Sequence, residues 1–470
     1  MSRADLIATI EDHALESVPS EERENWLALT WNTAGLITTL VIMFFGALVC
    51  FVAGTRIALL AGTVSFGIGT TLAWLLARVT FETGCSNTMT TRAYGLGERG
   101  SALASLIFGF LIVGFLALEN ALLYRGVVYF FGLVDNWSTR LLVYGAFSLA
   151  WIGLTTFGFR AVTRASSVML IGFLLALGWM VTNVLDRSAS SAGGLVDFGS
   201  QMPPAVLAGM GIVSEFDRFA FALNILVGPA CALALNTADF GRYGRSVAHI
   251  GTAATIAIFM QSLVMMLLGA VLMKAAAPTM VDHFMHLGGL TREAAQAQVL
   301  RSPDSIAATF MVFGGAGGFL LMLLAQGKAQ VLNTYSSSLC IANLFDAVSG
   351  WRPGRLAFVV LANLIALAML YGRILHFVEA WISLLGVLLA ALAAVIVVDY
   401  YVTAPRLRGR VRTGVVNWSG VLALIVAVGA AHFLLRRWMP IEVLSAVACV
   451  CLLYPLLRLQ VLRPATEAPG

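Results

Sequence analysis

The chain has 470 residues, of which 59% are hydrophobic and only 11% charged, and its mean hydropathy is +0.89. A soluble domain carries about 25% charged residues, so the composition excludes a soluble globular protein and indicates a membrane protein. The net charge of +5 requires no nucleic-acid partner, because arginines that fix membrane topology account for it. The six cysteines lack metal-ligand spacing, and we expect no metal, no cofactor and no enzymatic centre.

Apolar runs of about 20 residues, the length that crosses a bilayer, recur about twelve times along the chain. Numbered as spans 1 to 12, they lie at 27–53, 57–81, 102–132, 141–159, 166–186, 219–238, 249–273, 306–340, 356–371, 379–398, 416–435 and 441–457. Span 8 is too long for one simple crossing, and we expect it to include an entry segment at the membrane interface.

The arginines alternate between loops. If the N-terminus is cytoplasmic, the loops after spans 2, 4, 6, 8 and 10 and the C-terminal tail hold more arginines than the remaining loops. Positive residues concentrate on the cytoplasmic side of membrane proteins. The pattern therefore predicts an integral protein of a bacterial-type inner membrane with both termini in the cytoplasm.

Two blocks of five spans, 27–186 and 219–398, suggest an internal repeat. They are preceded by a cytoplasmic tail, 1–26, and followed by two additional helices and a second tail, 399–470. The first span of each block is interrupted by polar residues, and Gly228 with Pro229 predicts that span 6 breaks at mid-membrane. Broken helices at matching positions of two halves indicate a transporter binding site, although Pro and Gly are common in membrane helices generally.

The segment LALNTADFGRYGRS at 233–246 resembles the end of helix 6 in the purine–cytosine permeases, which belong to the nucleobase:cation symporter-1 family. LALTWNTAGL in span 1, the run from Arg92 to Ser101, NLFDAVSG, HFVEAWISLLG and VVDYYV resemble further segments of that family in the same order. The resemblance implies an all-α fold of two inverted five-helix repeats plus two C-terminal helices, as in the sodium-coupled leucine transporters. It also implies secondary uptake of a nucleobase or related nitrogen-rich heterocycle, driven by Na⁺ or H⁺.

The resemblance assigns substrate-binding positions in spans 3 and 6. The family places a stacking aromatic residue in span 3, and GFLALEN matches with Phe115 there and Glu119 four residues later. Residues four apart share a helix face, so both side chains can face one cavity, although a lone Phe is also common in a core. In span 6 the family has a second aromatic residue, and here Ala230 occupies that position. The departure leaves room for a bulkier or non-aromatic substrate.

The resemblance also indicates an altered ion site in span 8. Sodium-coupled members carry two adjacent hydroxyl residues there, followed by an Asn for the substrate, whereas this chain has Lys328, Ala329 and Gln330. Thr39 in span 1 falls near the backbone ligands of the same ion site. Because an ammonium repels a cation and offers no oxygen ligand, we expect Lys328 to replace Na⁺ as a tethered charge, and H⁺ to be a more suitable coupling ion than Na⁺.

Three further expectations concern charged and polar residues. Glu119 and Lys328 are costly at membrane depth unless paired or wetted, and they either pair with each other as part of the architecture or act in substrate binding and proton coupling. A polar stripe on span 8 includes Asn333 and lines the permeation path or bonds neighbouring helices. Asp239 and Arg242, at the end of span 6, are expected to form a gate or topology element.

Alternating access would rock spans 1, 2, 6 and 7 against spans 3, 4, 8 and 9. The partners expected are a small-molecule substrate, a coupling cation and the lipid bilayer, with the chain a monomer or weak oligomer. Two alternatives remain open: a transporter of the same fold for a cationic solute such as an amine, guanidinium compound or vitamin, and a membrane sensor without transport.

Overall fold

The computed structural model describes residues 15–188, 191–371, 378–407 and 415–462. Most of the predicted N-terminal tail, the arginine-rich segment 408–414 and residues 463–470 lie outside the described residues. The described part of the chain is helical apart from its loops and one isolated bridge between Glu24 and Gly244.

Helices lie at all twelve predicted positions and are numbered accordingly. They are α1a (Trp26–Ile37) and α1b (Leu40–Ala53), α2 (Thr55–Thr83), α3 (Ser101–Phe131), α4 (Trp137–Thr155), α5 (Gly158–Asp186), α6 (Glu215–Gly241), α7 (Val247–His286), α8 (Asp304–Ser349), α9 (Arg355–Tyr371), α10 (Val378–Val398), α11 (Trp418–Arg437) and α12 (Glu442–Val461). Among the described residues, nine helices are long and apolar enough to cross a membrane, and the α1 pair makes a tenth. Because α4 and α9 fall outside that set, a count of twelve spans stays a prediction.

The first helix is broken, as its polar residues predict. The halves α1a and α1b meet at an angle of 66°, and Thr38 leaves the helical conformation with φ −94° and ψ 51°. The Thr39 hydroxyl then accepts from the backbone N–H of Ile42 at the start of α1b, which is the role of a capping residue. The break therefore exposes one helix C-terminus and one helix N-terminus at the same level of the fold.

The prediction of a matching break in span 6 is wrong, because α6 runs without interruption from Glu215 to Gly241 with Pro229 inside it. Gly228 serves helix packing instead. A Cβ on Gly228 would lie 3.2 Å from the Cα of Gly386 in α10, so the absence of a side chain allows α6 and α10 to approach closely. Proline inside a membrane helix is tolerated where neighbouring groups compensate for the lost hydrogen bond.

Two other helices are irregular. α8 is divided at Gly315, which departs from helical geometry with φ 52° and ψ −125°; an entry segment at the membrane interface stays a prediction. α7 contains a π-helical turn at Met260–Met265, which nothing in the sequence predicted. π-Helical turns are rare and frequently occur at functional sites.

The helices pack in two groups. α6 lies along α2, and α7 packs against α1a, α1b and α2, while α8 lies between α3 and α5. α9 packs on α8 and α3, and α10 contacts α6 and α12. The first group holds the helices expected to move, and the second holds α3, α8 and α9, which are among those expected to stay fixed; the movement itself stays a prediction.

The chain enters the fold at what we call the N-terminal end of the molecule. There the backbone N–H of Arg245 donates to the Glu24 carbonyl at 2.9 Å, and the Val18 N–H donates to the Gly84 carbonyl at 3.0 Å. At the opposite end, Asp135 in the α3–α4 loop accepts from Arg140 Nε at 2.6 Å. The Arg140 guanidinium holds the pKa of the Asp135 carboxyl well below its usual range, at about 2.

Candidate functional site

A small cavity lies at the break in α1. Its free space is about 40 Å³, which is room for only a few water molecules. The walls come from α1a, α1b, α3, α6, α7 and α8. The lining residues are Leu36, Thr39, Ile42, Leu111, Ile112, Phe115, Glu119, Pro229, Ala232, Leu233, Asn236, Gln261 and Asn333.

Four of the residues predicted from the sequence meet in this cavity: Thr39, Phe115, Glu119 and Asn333. Glu119 is only 2% exposed, and its Oε2 accepts from Asn333 Nδ2 at 3.1 Å. The Thr39 side chain also interacts with the Glu119 carboxylate. Because Thr39 begins α1b, the carboxylate lies at the N-terminus of a helix, where the helix dipole favours a negative charge.

Lys328 is fully buried in α8 and occupies the other side of the α1 break. Its Nζ donates to the Thr38 carbonyl at 2.5 Å and to the Ala325 carbonyl at 3.0 Å. It also lies 4.3 Å from the centre of the Phe173 ring of α5, within the range of a cation–π interaction. Thr38 ends α1a, so the ammonium lies where the helix dipole favours a positive charge.

Within the part of the chain that the structure describes, Lys328 and Glu119 form no direct ion pair, although they are close enough to interact electrostatically. Each has its own set of hydrogen-bond partners. A purely architectural ion pair would join the two charges directly. Instead, Lys328 lies at the C-terminus of α1a and Glu119 lies at the N-terminus of α1b.

Two predicted substrate-binding residues lie outside the cavity walls. Ala230 packs towards α2, where a Cβ on Gly69 would lie 2.9 Å from the Ala230 Cβ. Gln330 donates from Nε2 to the Leu116 carbonyl of α3 at 2.8 Å. The polar stripe on α8 therefore bonds α3 at this point and reaches the cavity at Asn333.

Asp239 and Arg242 lie at the N-terminal end of the molecule, away from the cavity. Asp239 Oδ1 accepts from the backbone N–H of Asn87 at 2.8 Å. Arg242 is 1% exposed, and its guanidinium donates to the Tyr335 hydroxyl of α8 at 2.8 Å. Arg242 thus connects α6 of one helix group to α8 of the other.

Sequence reasoning missed three side chains at or beside the cavity: Gln261, Asn236 and Trp381. Gln261 is one of a few polar residues in the mostly apolar α7, and nothing in the sequence distinguished it from the others. Asn236 was read as one of several polar residues of span 6. The Trp381 ring of α10 stands edge-on to Phe115, with ring centres 5.2 Å apart, and only the aromatic content of HFVEAWISLLG could have suggested it.

The cavity combines an aromatic ring, a carboxylate and side-chain amides in an apolar surround. Rings stack or meet edge-on with aromatic ligands, and a carboxylate accepts hydrogen bonds from N–H donors, most strongly when the donor is charged. The groups present therefore suit recognition of a small ligand with N–H donors.

The comparisons with known proteins agree with this architecture. No protein-family model matches the chain. The chain is 26% identical to the cytosine permease of Escherichia coli strain K12 over 433 residues, which cover 89% of this chain and 88% of that protein. The cytosine permease of Escherichia coli O157:H7 is 25% identical over the same length.

Solved structures show the fold. Mhp1, a nucleobase-cation-symport-1 family transporter, in a closed conformation with bromovinylhydantoin bound, has a TM-score of 0.68 at 17% identity and covers 94% of this chain and 93% of its own. A Na⁺-coupled sialic acid symporter has a TM-score of 0.60 at 14% identity, covering 98% of this chain and 94% of its own. The chain is thus an integral membrane protein with the fold of these transporters, and it is similar along nearly its whole length to the cytosine permeases.

Proposed function

We propose that the protein imports a nucleobase of the cytosine or purine type, or a related nitrogen-rich heterocycle, by alternating access. The observation that carries the proposal is the small cavity at the α1 break, where Phe115, Glu119 and Asn333 meet. The aromatic ring offers a surface for a flat ligand, and the Glu119 carboxylate accepts from ring or exocyclic N–H groups. The similarity to cytosine permeases along nearly the whole chain supports this substrate class.

Lys328 supports a further proposal, that the ion site of sodium-coupled relatives is filled here by a tethered ammonium. In broken-helix transporters, half-helix C-termini and unwound carbonyls coordinate the coupling cation. Lys328 Nζ donates to one such carbonyl, that of Thr38, and also to the Ala325 carbonyl of its own helix α8. Uptake is then coupled to H⁺, with Glu119 or Lys328 as the proton carrier, or is uncoupled.

The coupling proposal is tested in proteoliposomes with one gradient at a time. A H⁺ gradient in Na⁺-free buffer should drive accumulation of labelled substrate, whereas a Na⁺ gradient at equal pH on both sides should not. Strong stimulation by the Na⁺ gradient alone would contradict the tethered-charge proposal. It would leave the substrate proposal intact.

A cationic, non-nucleobase solute is the second candidate. Glu119 offers a negative charge to a ligand in the cavity, so an amine or guanidinium compound fits the same chemistry. A thermal-shift screen of nucleobases and hydantoins against small amines and guanidinium compounds separates the two, since a ligand at a hundredfold excess over its Kd stabilises by about 2.7 kcal/mol. Binding without counterflow in proteoliposomes would instead indicate a sensor.

For the transport cycle, we propose that α1, α2, α6 and α7 move against α3, α4, α8 and α9, with the contact between Arg242 and Tyr335 as a gate at the N-terminal end. The loop arginines support a cytoplasmic position for that end and for both termini, in a bacterial-type inner membrane. Reaction of single cysteines in the loops with an impermeant maleimide, from either side of the membrane, tests this orientation.

A further inference from the structure

Gln261 lies in the π-helical turn of α7 and is the α7 residue that lines the cavity. It is 7% exposed, and its Nε2 has no hydrogen-bond partner in the described structure. A π-helical turn widens the helix locally and changes the direction of the side chains that follow. The irregularity of α7 and the one polar group that α7 offers to the cavity therefore coincide.

A second amide is in the same situation. Asn236 of α6 lines the cavity, is 5% exposed, and its Oδ1 has no hydrogen-bond partner among the described residues. An amide carries a donor and an acceptor, and the buried unbonded atom is the donor in Gln261 and the acceptor in Asn236. Buried polar atoms without partners are costly, which indicates that these two amides complete their bonds with something that enters the cavity.

The amides differ from the polar groups on the opposing helices. Asn333 Nδ2 of α8 is already engaged by Glu119 of α3, so the scaffold side presents mainly a carboxylate acceptor. Gln261 and Asn236 belong to α7 and α6, the helix group proposed to move. A ligand that bridges the two sides must therefore offer N–H groups to Glu119 and an acceptor to the free N–H of Gln261.

We propose that Gln261 is a specificity-determining residue, whose side-chain amide donates a hydrogen bond to a ring carbonyl of the transported heterocycle. This inference rests on the proposed function, because it deepens the chemistry of the same cavity. A site built to hydrogen-bond a polar group discriminates strongly against an analogue that lacks it. Gln261 would thus select carbonyl-bearing heterocycles over carbonyl-free ones with the same amine.

The test compares the binding of cytosine and of 4-aminopyrimidine, which keeps the amine and both ring nitrogens but lacks the carbonyl and, with it, the N1–H donor. The loss on substituting Gln261 is therefore compared for each compound separately. Purified wild-type protein, Gln261→Met and Gln261→Glu are titrated with both compounds. We expect Gln261→Met to lose about tenfold in affinity for cytosine and to keep its affinity for 4-aminopyrimidine. Gln261→Glu retains the size of the side chain but, when ionised, cannot donate, so it should show the same selective loss.

Asn363→Leu is the matched control, because Asn363 of α9 is a buried amide with an unbonded Oδ1 that does not line the cavity. It should bind both compounds as the wild type does. Thermal unfolding midpoints identify a variant that fails to fold, and the remaining Gln261 variant then decides. Equal losses of affinity for both compounds, or no loss of affinity for cytosine, would overturn this inference and leave the proposed function intact. Failure of the wild-type protein to bind either compound would contradict the proposed function, and the inference with it.

Discussion

Lys328 and Glu119 are tolerated at membrane depth because the broken helix α1 stabilises both charges. A charge in the bilayer core costs about 2.5–3.5 kcal/mol on insertion scales unless it is compensated. Lys328 is compensated by the Thr38 carbonyl at the C-terminus of α1a and by the Ala325 carbonyl of α8, and Glu119 lies beside Thr39 at the N-terminus of α1b. One interruption of a helix therefore accommodates two opposite charges without joining them.

This arrangement predicts that removing both charges together does not restore the properties of the wild-type protein. Lys328→Met leaves the Thr38 carbonyl at the end of α1a without its donor, at about 1–3 kcal/mol, and should lower the thermal midpoint. Glu119→Gln keeps the shape and an acceptor for Asn333, so it should lower substrate affinity more than stability. The double variant should combine both defects, measured as uptake and as unfolding temperature.

The control is Gln326→Leu, because Gln326 of α8 is also buried and bonds only to the Glu119 backbone carbonyl, at 3.4 Å. It should leave Kd for the substrate near the wild-type value. Recovery of wild-type uptake in the double variant would show that Lys328 and Glu119 compensate each other as an architectural pair, against the separate partners described above.

The predictability of the site differs from residue to residue. Phe115 was predictable only from the resemblance to the permease family, which places an aromatic residue there. Glu119 was predictable from the sequence itself, because a lone charge in an apolar span is costly unless it has a role. Gln261 was not, because a helix of regular pitch gives no reason for a single Gln to face the cavity, and the π-helical turn has no sequence signature. Gln330 was predicted to bind substrate but donates to the Leu116 carbonyl of α3 instead. That contact depends on how α3 and α8 pack, which the sequence does not give.

At the scale of the helices, the positions of the breaks do not follow from the helix-breaking tendency of the residues alone. Thr38 and Thr39 end one half-helix and cap the next, although neither is a strong helix breaker. Gly228 and Pro229 are strong breakers, yet α6 continues through them. The difference lies in tertiary contacts: a cationic side chain satisfies the carbonyl freed at Thr38, whereas Gly228 is held against α10.

Gly315 is the position where backbone conformation fixes the shape of α8. Its φ of 52° and ψ of −125° are rarely adopted by other residues, and an added Cβ would meet no atom within 4 Å. Gly315→Ala should therefore destabilise by about 1–3 kcal/mol through backbone strain alone. The measurement is the thermal midpoint in detergent.

Gly145→Ala provides the matched control, because a Cβ there also meets nothing within 4 Å but the backbone lies inside the regular helix α4. We expect a gain of about 0.5–1 kcal/mol from the reduced freedom of the unfolded chain. Equal effects of the two substitutions would show that the bend at Gly315 imposes no strain on alanine.

At the scale of the whole molecule, the small cavity is separated from the N-terminal end by contacts between the two helix groups. Arg242 of α6 reaches Tyr335 of α8, and the Arg355 guanidinium lies 5.5 Å from the centre of the same Tyr335 ring. Arg355 in turn donates to the Thr155 carbonyl of α4 at 3.1 Å. Tyr335 is thus the point where three helices of the scaffold side and α6 converge.

If this convergence holds the cavity closed, weakening it should favour a conformation open at the N-terminal end. Tyr335→Phe removes the hydroxyl that accepts from Arg242 but keeps the ring that packs beneath Arg355. In a background without native cysteines, Ala232→Cys places a thiol in the cavity wall. Adding Tyr335→Phe should increase its labelling by an impermeant maleimide applied to inside-out vesicles several-fold, since a net loss of about 1 kcal/mol changes a conformational equilibrium roughly fivefold.

Tyr454→Phe is the comparison variant, because the Tyr454 hydroxyl also accepts a hydrogen bond in a buried position, from Asn417 at 2.9 Å, but lies in α12. It should leave the labelling of Ala232→Cys unchanged. Substrate should reduce labelling in both variants if the same cavity binds it. Unchanged labelling with Tyr335→Phe would place the barrier elsewhere along α6 and α8, because a gate whose closing bond is removed must spend more time open when all other contacts are kept.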